Sequence, residues 1–276
     1  AIKIDYKPLK IINNPEDAKI SKIYLNDVEN NLAETLNLNK GDTGKLFEEC
    51  DVIVEGEYEV PFVEHAYLEP EACFAKMYKD VVTVWTPSQD SVHMQESIAT
   101  SLGLPKEKVR VILSVTGGAF GGKQEPTIQI TAALAAMLTG RPVKITLTRE
   151  ESIRVSTKRH GAKIFMKHGA AKNGRLIAIE STTVLDAGAY HSETRWVNFR
   201  ACVAAGGPYE IPNVKTSAKS YYTNNPPAGA FRGFGSTQVC FAYEIQMDKL
   251  AASLNIDPVK IREINAVKNG SETITG

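Results

Sequence analysis

The chain places Gly117-Gly118-Ala119-Phe120-Gly121-Gly122-Lys123 between a nearly continuous apolar run, Val109 to Val115, and a helical pattern, Ile128 to Leu138. A strand that empties into a glycine turn and then a helix predicts layered sheet and helix, with backbone brought close to a ligand where the glycines sit. A second glycine turn, Ala230-Phe231-Arg232-Gly233-Phe234-Gly235, again holds aromatic side chains among glycines. Two such turns predict one site built from both.

The remaining segments support a mixed α+β class. Val52 to Val60 alternates with acidic residues, Val81 to Trp85 is β-branched and aromatic, and Val143 to Leu147 is a further strand. Gln95 to Leu102 carries a helical pattern. The helix over Ile128 to Leu138 stops at Gly140-Arg141-Pro142, and Thr148-Arg149-Glu150-Glu151 has the spacing of a capping box. Asn173-Gly174 predicts a type I′ turn in a hairpin over residues 162–185. Cys240, Tyr243, Met247, Leu250 and Leu254 form the buried stripe of a helix, and Asp257-Pro258 opens a last short one through Asn265. Residues 1–50 begin with a strand-like Ile2 to Tyr6 and continue in a polar stretch rich in Asn and Lys, which predicts a connecting segment. Residues 51–276 then form the principal domain.

Composition removes several functions. Lys and Arg total 32 against 32 Asp and Glu, so no overall field attracts a nucleic acid. The seven cations from Arg154 to Arg175 read either as an anion patch or as a solvated hairpin edge. No apolar run approaches the roughly 20 residues that cross a bilayer, and Ala1-Ile2-Lys3 opens no signal peptide. A cytoplasmic protein is the expectation. Cys50, Cys73, Cys202 and Cys240 are far apart, without the paired spacing of zinc or iron–sulfur ligands, and read as reduced thiols.

The first turn also has the glycine and lysine spacing of a phosphate-cradling P-loop, but Gln124 stands where a Ser or Thr would hold magnesium. No G-x-S-x-G elbow supports a serine hydrolase. Of the five histidines, His65 is the most suggestive because Glu64 and Glu69 flank it, and a hydrogen-bonded structural role explains it as well.

In order and spacing, several short motifs belong together: Tyr6-Lys7-Pro8-Leu9, Glu64-His65 with Leu68-Glu69-Pro70, Trp85-Thr86-Pro87-Ser88-Gln89, the Phe120 turn, Asp186-Ala187-Gly188-Ala189-Tyr190, Gly207-Pro208-Tyr209, Tyr222-Thr223-Asn224 and the Arg232 turn. Through them nearly the whole chain resembles the molybdenum-cofactor subunit of the xanthine dehydrogenase and aldehyde oxidoreductase family. The resemblance implies the N-terminal half of a molybdopterin-binding domain, following a small hammerhead domain that would precede residues 1–50. It implies oxidative hydroxylation of a carbon next to nitrogen or oxygen, with water as the oxygen source. Electrons would leave through the pterin to iron–sulfur clusters and FAD on partner domains or subunits.

Matching motifs carry the roles over. Gln89, Phe120, Gly121 and Arg232 match cofactor-binding positions: the glutamine amide donates to an oxygen on molybdenum, and the two turns approach the metal centre. No side chain is expected to ligate the metal directly. Gln124, Arg200 and Phe234 match substrate positions, with Phe234 stacking on a planar ring and Arg200, nine residues before Tyr209, stabilising developing negative charge. Together they favour a planar N-heterocycle of the purine or xanthine kind over a simple aldehyde. An aldehyde oxidoreductase and a non-catalytic assembly subunit stay open as alternatives.

The family's general-base glutamate lies in a glycine-rich motif that does not follow Asn265, and Glu263 and Glu272 lack that context. The expectation is that the C-terminal half of the subunit supplies this base and more of the cofactor cradle, and that the isolated chain is inactive.

Overall fold

The computed structural model describes residues 3–276, and these form two compact units. One contains residues 61–160 and 227–234, and the other contains the rest. No helix among the described residues is long and apolar enough to cross a membrane.

The larger unit is built on β1 (Leu32–Lys40), β2 (Val52–Val60), β7 (Ala162–Ala170), β8 (Leu176–Gly188) and β9 (Asn213–Tyr222), in the order β1-β9-β8-β7-β2. All neighbours are antiparallel except β8 and β9, which are parallel and joined through α5 (Thr194–Val203). A parallel pair needs such a crossover. Alternation along the strands puts Ala162, Ile164, Met166 and His168 of β7 in register with Leu185, Thr183, Ser181 and Ile179 of β8, all buried. Helix α6 (Ser236–Leu254) packs on β2 and β7, and α5 packs on β1 and β9. The expected stripe of α6 is there, with Tyr243, Met247 and Leu250 buried. Helix α7 (Pro258–Asn265) is capped by Asp257, whose carboxylate accepts the Val259 and Lys260 N–H groups. A short α1 (Pro15–Ile20) buries Ala18 with Ile12 and Tyr221.

Several expectations change here. Of the strand expected over Ile2 to Tyr6, residues 3–6 carry no strand and Ile2 lies outside the described residues. Conversely, β1 forms inside the polar stretch. Asn weakens its strand pattern, yet Leu36 and Leu38 alternate, and pairing with β9 supplies the ladder. The β7–β8 turn is not type I′, since Gly174 has positive φ (86°) and Asn173 does not. Ala171 N–H donates to Arg175 O and the register shifts at Gly169/Ala170, so the turn closes on a bulge.

The smaller unit is a four-stranded sheet in the order β5-β4-β3-β6, from β3 (Ala72–Tyr78), β4 (Val81–Thr86), β5 (Val109–Leu113) and β6 (Val143–Thr146). Strands β4 and β5 are parallel, connected through α2 (Ser91–Leu102). Helices α2 and α3 (Gln129–Thr139) cover the sheet and bury Met94, Ile98, Ala132, Ala133 and Ala136 against Ala75, Val82 and Val84. Burial of this apolar surface is the main stabilising term for the unit. Gly140 ends α3 in the left-handed region, and Thr148 and Glu151 form the expected capping box at the start of α4 (Arg149–Val155).

Candidate functional site

The site residues of the smaller unit come together because of how its parallel pair ends. Thr86 and Leu113 are register partners at the carboxyl ends of β4 and β5, and Ser114 N–H donates to Thr86 O at 3.1 Å. The Gln89 segment and the glycine turn of residues 117–123 therefore leave the sheet side by side. Outside the carboxyl ends of parallel strands is where such sheets place ligands.

Gln89 ties these two segments together. Its N–H donates to Lys123 O at 3.0 Å, while its Oε1 accepts the Gly121 N–H at 3.0 Å and the Lys123 N–H at 3.3 Å. Two donors aimed at one amide atom identify it as the oxygen. The side-chain NH₂ group is thereby directed away from the turn. Gln89 is exposed, and this NH₂ has no partner among the described residues.

The second glycine turn lies directly against the first. Arg232 N–H donates to Phe120 O at 2.9 Å, and a Cβ on Gly121 would come within 2.4 Å of Ala230 O. Gly121 has φ 110°, so conformation and close approach both require glycine. Phe120 and Phe234, each at φ 53°, hold the left-handed region that a bulky residue adopts only at a cost of about 1–3 kcal/mol. Their surroundings enforce it: Gly122 N–H closes on Ala119 O at 2.8 Å, and Phe234 N–H closes on Phe231 O at 2.7 Å.

Three further side chains lock the second turn, and none carries the chemistry of a free base. His65 Nε2 lies 2.7 Å from Ala230 O, a pure acceptor, so this nitrogen holds the proton. Burial lowers the pKa of the imidazole, and the ring stays neutral. The Phe231 ring stacks on His65 at 4.3 Å and receives the Arg159 guanidinium at 4.0 Å, and Arg159 also donates to Arg232 O at 2.8 Å. Sequence reasoning missed Arg159, which had counted only as one of the seven cations. Four of those cations are paired with acids: Arg154 with Glu150, Lys158 with Glu64, Lys163 with Glu16, and Lys167 with Glu55.

Lys123 does not serve as a phosphate lysine. Its side chain is only 3% exposed and its ammonium pairs with Glu69 at 2.7 Å. Helix α3 begins only at Gln129, so the turn does not run straight into a helix N-terminus as a P-loop must.

Gln89, Phe120, Gly121, Gln124, Arg232 and Phe234 all belong to the smaller unit. Gln124 follows Lys123 directly, and its Oε1 is buried with no partner among the described residues. Arg200 belongs to the other unit, where it is exposed on α5 with no ion pair among the described residues. Donors around the two turns without a partner among the described residues include the Gln89 NH₂, the Phe120 N–H and the Arg232 guanidinium. The Gly121 N–H, on the turn expected to approach the metal centre, donates to Gln89 Oε1. Such a set of donors suits a ligand bearing oxygen atoms and negative charge.

Comparison with known proteins points the same way. Residues 25–266 match the family described as molybdopterin cofactor-binding domain. The chain is 39% identical to the nicotinate dehydrogenase large molybdopterin subunit of Eubacterium barkeri, an alignment covering all of this chain and 65% of that protein. It is 38% identical to a probable xanthine dehydrogenase subunit of Bacillus subtilis, over 97% of this chain and 36% of the relative. In structure it is similar to the aldehyde oxidoreductase of Desulfovibrio gigas, with a TM-score of 0.94 and 32% identity over 99% of this chain and 30% of the other. The chain thus spans between about a third and two thirds of the length of these relatives.

Proposed function

Because this chain belongs to the molybdopterin cofactor-binding domain family, we propose that its two glycine turns and Gln89 form part of the cradle for a molybdenum–molybdopterin cofactor in a molybdenum hydroxylase. The observation that carries the reading is the orientation of Gln89. Its amide oxygen is consumed by the Gly121 and Lys123 N–H groups, which leaves its NH₂ as a donor without a partner among the described residues. The residues present fit the cofactor: they leave donors unshared, and the Glu69 carboxylate at the first turn is held by the Gly117 N–H and the Lys123 ammonium. When bound, the cofactor supplies a two-electron oxidation that incorporates oxygen from water into the substrate.

The chain's own contribution is recognition and placement. Gln89 and the Phe120 N–H donate to cofactor oxygens, and the Arg232 turn holds Phe120 in place through its backbone hydrogen bond. Gln124 contributes an amide edge to the substrate, Phe234 an aromatic face and Arg200 a fixed positive charge. This trio suits a planar N-heterocycle. The likeness to an aldehyde oxidoreductase supports a second reading, an aldehyde substrate. The general base, iron–sulfur clusters and FAD belong to polypeptide beyond these residues, in a cytoplasmic complex, and the isolated chain is inactive.

The test is metal analysis and turnover of the complete enzyme. About one molybdenum per subunit, with oxidation of purines or nicotinate-like rings in preference to aldehydes, is the expected result. A complete enzyme without molybdenum overturns the reading, and a preference for aldehydes selects the alternative.

A further inference from the structure

Glu69 and Lys123 meet at the two ends of the first glycine turn. Glu69 N–H donates to Gly117 O at 3.1 Å, and Gly117 N–H donates back to the Glu69 carboxylate at 2.8 Å. The same carboxylate oxygen lies 2.7 Å from the Lys123 ammonium. One side chain therefore grips both the first and the last residue of the turn. The approach is close, since a Cβ on Gly117 would stand 2.6 Å from the Glu69 Cβ.

Lys123 is in turn fixed on every side. Its ammonium lies 4.7 Å above the Tyr67 ring, its carbonyl accepts from Gln89 N–H and from Ser88 Oγ, and its N–H donates to Gln89 Oε1. Burial alone would raise the pKa of Glu69, but the hydrogen bonds from Lys123 and Gly117 outweigh it and hold the carboxyl below the usual range. A buried ammonium is costly and weak as a source of stability, so its presence here calls for a geometric reason.

We propose that Glu69 and Lys123 are positioning residues: their ion pair sets the span of the turn from Gly117 to Lys123, and through it the direction of the Gln89 NH₂ and the Phe120 N–H. The two ends of the turn cannot move apart without exposing or unpairing Lys123. The N–H groups of Gly121 and Lys123 stay on Gln89 Oε1 only while that span is held. The consequence for catalysis rests on the cofactor reading above, and the consequence for the turn does not.

The test compares Lys123→Met, Glu69→Gln, their double variant and the conservative Lys123→Arg. In this chain, amide hydrogen exchange at Gly121 and Lys123 is expected to rise roughly tenfold or more in the first three, with the amides of α3 unchanged. The double variant should match the single ones, because the pair acts as a unit, and Lys123→Arg should recover most of the protection. In the complete enzyme the same variants should lower kcat with little change in KM. Wild-type protection at Gly121 and Lys123 in folded variants overturns the proposal. If Lys123→Met fails to fold, Glu69→Asp, which keeps the charge but shortens its reach, decides by the same exchange criterion. A molybdenum-free wild-type enzyme would overturn the functional reading while leaving the exchange result standing. A loaded enzyme with loosened turns and unchanged kcat would overturn only the catalytic consequence.

Discussion

The carbonyl of Phe120 accepts the backbone N–H of Arg232 at 2.9 Å, so main chain joins the two glycine turns directly. That contact depends on Gly121, whose missing Cβ leaves room for Ala230 O.

Gly121→Ala should therefore be much worse than alanine at an open glycine. The new methyl would meet Ala230 O at 2.4 Å on a backbone at φ 110°, a conformation alanine strongly disfavours. A loss of about 3 kcal/mol or more is expected. Gly103→Ala, in the same unit, has φ 64° and nothing within 4 Å, and should cost only about 1 kcal/mol. Chemical denaturation of the two variants checks the difference.

Gln89→Glu separates anchoring from donation. A carboxylate can still accept the Gly121 and Lys123 N–H groups, so the turn should persist and thermal stability should change little. The outward donor is lost. In the complete enzyme kcat should fall about 10²–10³-fold, the usual effect of removing one preorganised donor, as steady-state kinetics would read.

Arg200→Ala should leave folding within about 0.5 kcal/mol of wild type, because the side chain is exposed and unpaired among the described residues. If it binds substrate, KM in the complete enzyme should rise at least tenfold while the melting temperature holds. An unchanged KM removes Arg200 from the site.

His168 makes the larger unit acid-sensitive. It is fully buried, neither ring nitrogen has a partner among the described residues, and burial pushes its pKa down to about 3. The unfolded chain binds a proton near pH 6.5 while the folded one does not, so stability is full above pH 6.5 and falls as the pH drops toward 3. The slope for this one group approaches about 1.4 kcal/mol per pH unit. His168→Leu should flatten that part of the curve, measured as unfolding free energy between pH 7 and pH 4.

Local features were legible in the amino-acid order because their causes are local. The capping box at Thr148, the Asp257 cap, the stripe on α6 and the β-branched strands β2 and β4 each depend on residues a few positions apart. The motifs that identify the family were legible too. Strands β1 and β9 were not. Asn, Lys and Ser give them weak intrinsic preference, and they form because they pair with each other and lie under α5.

What only the tertiary structure decided is which atoms face a ligand. The resemblance matched Gly121 to a cofactor-binding turn, and only the folded chain shows its N–H donating to Gln89 while the Gln89 NH₂, the Phe120 N–H and the Arg232 guanidinium have no partner among the described residues. Sequence alone made Lys123 a possible phosphate grip, yet Glu69 neutralises it. Hydrogen-bond partners drawn from distant segments depend on how β3, β4 and β5 bring their connecting loops to one end of a sheet, and no local pattern encodes that meeting.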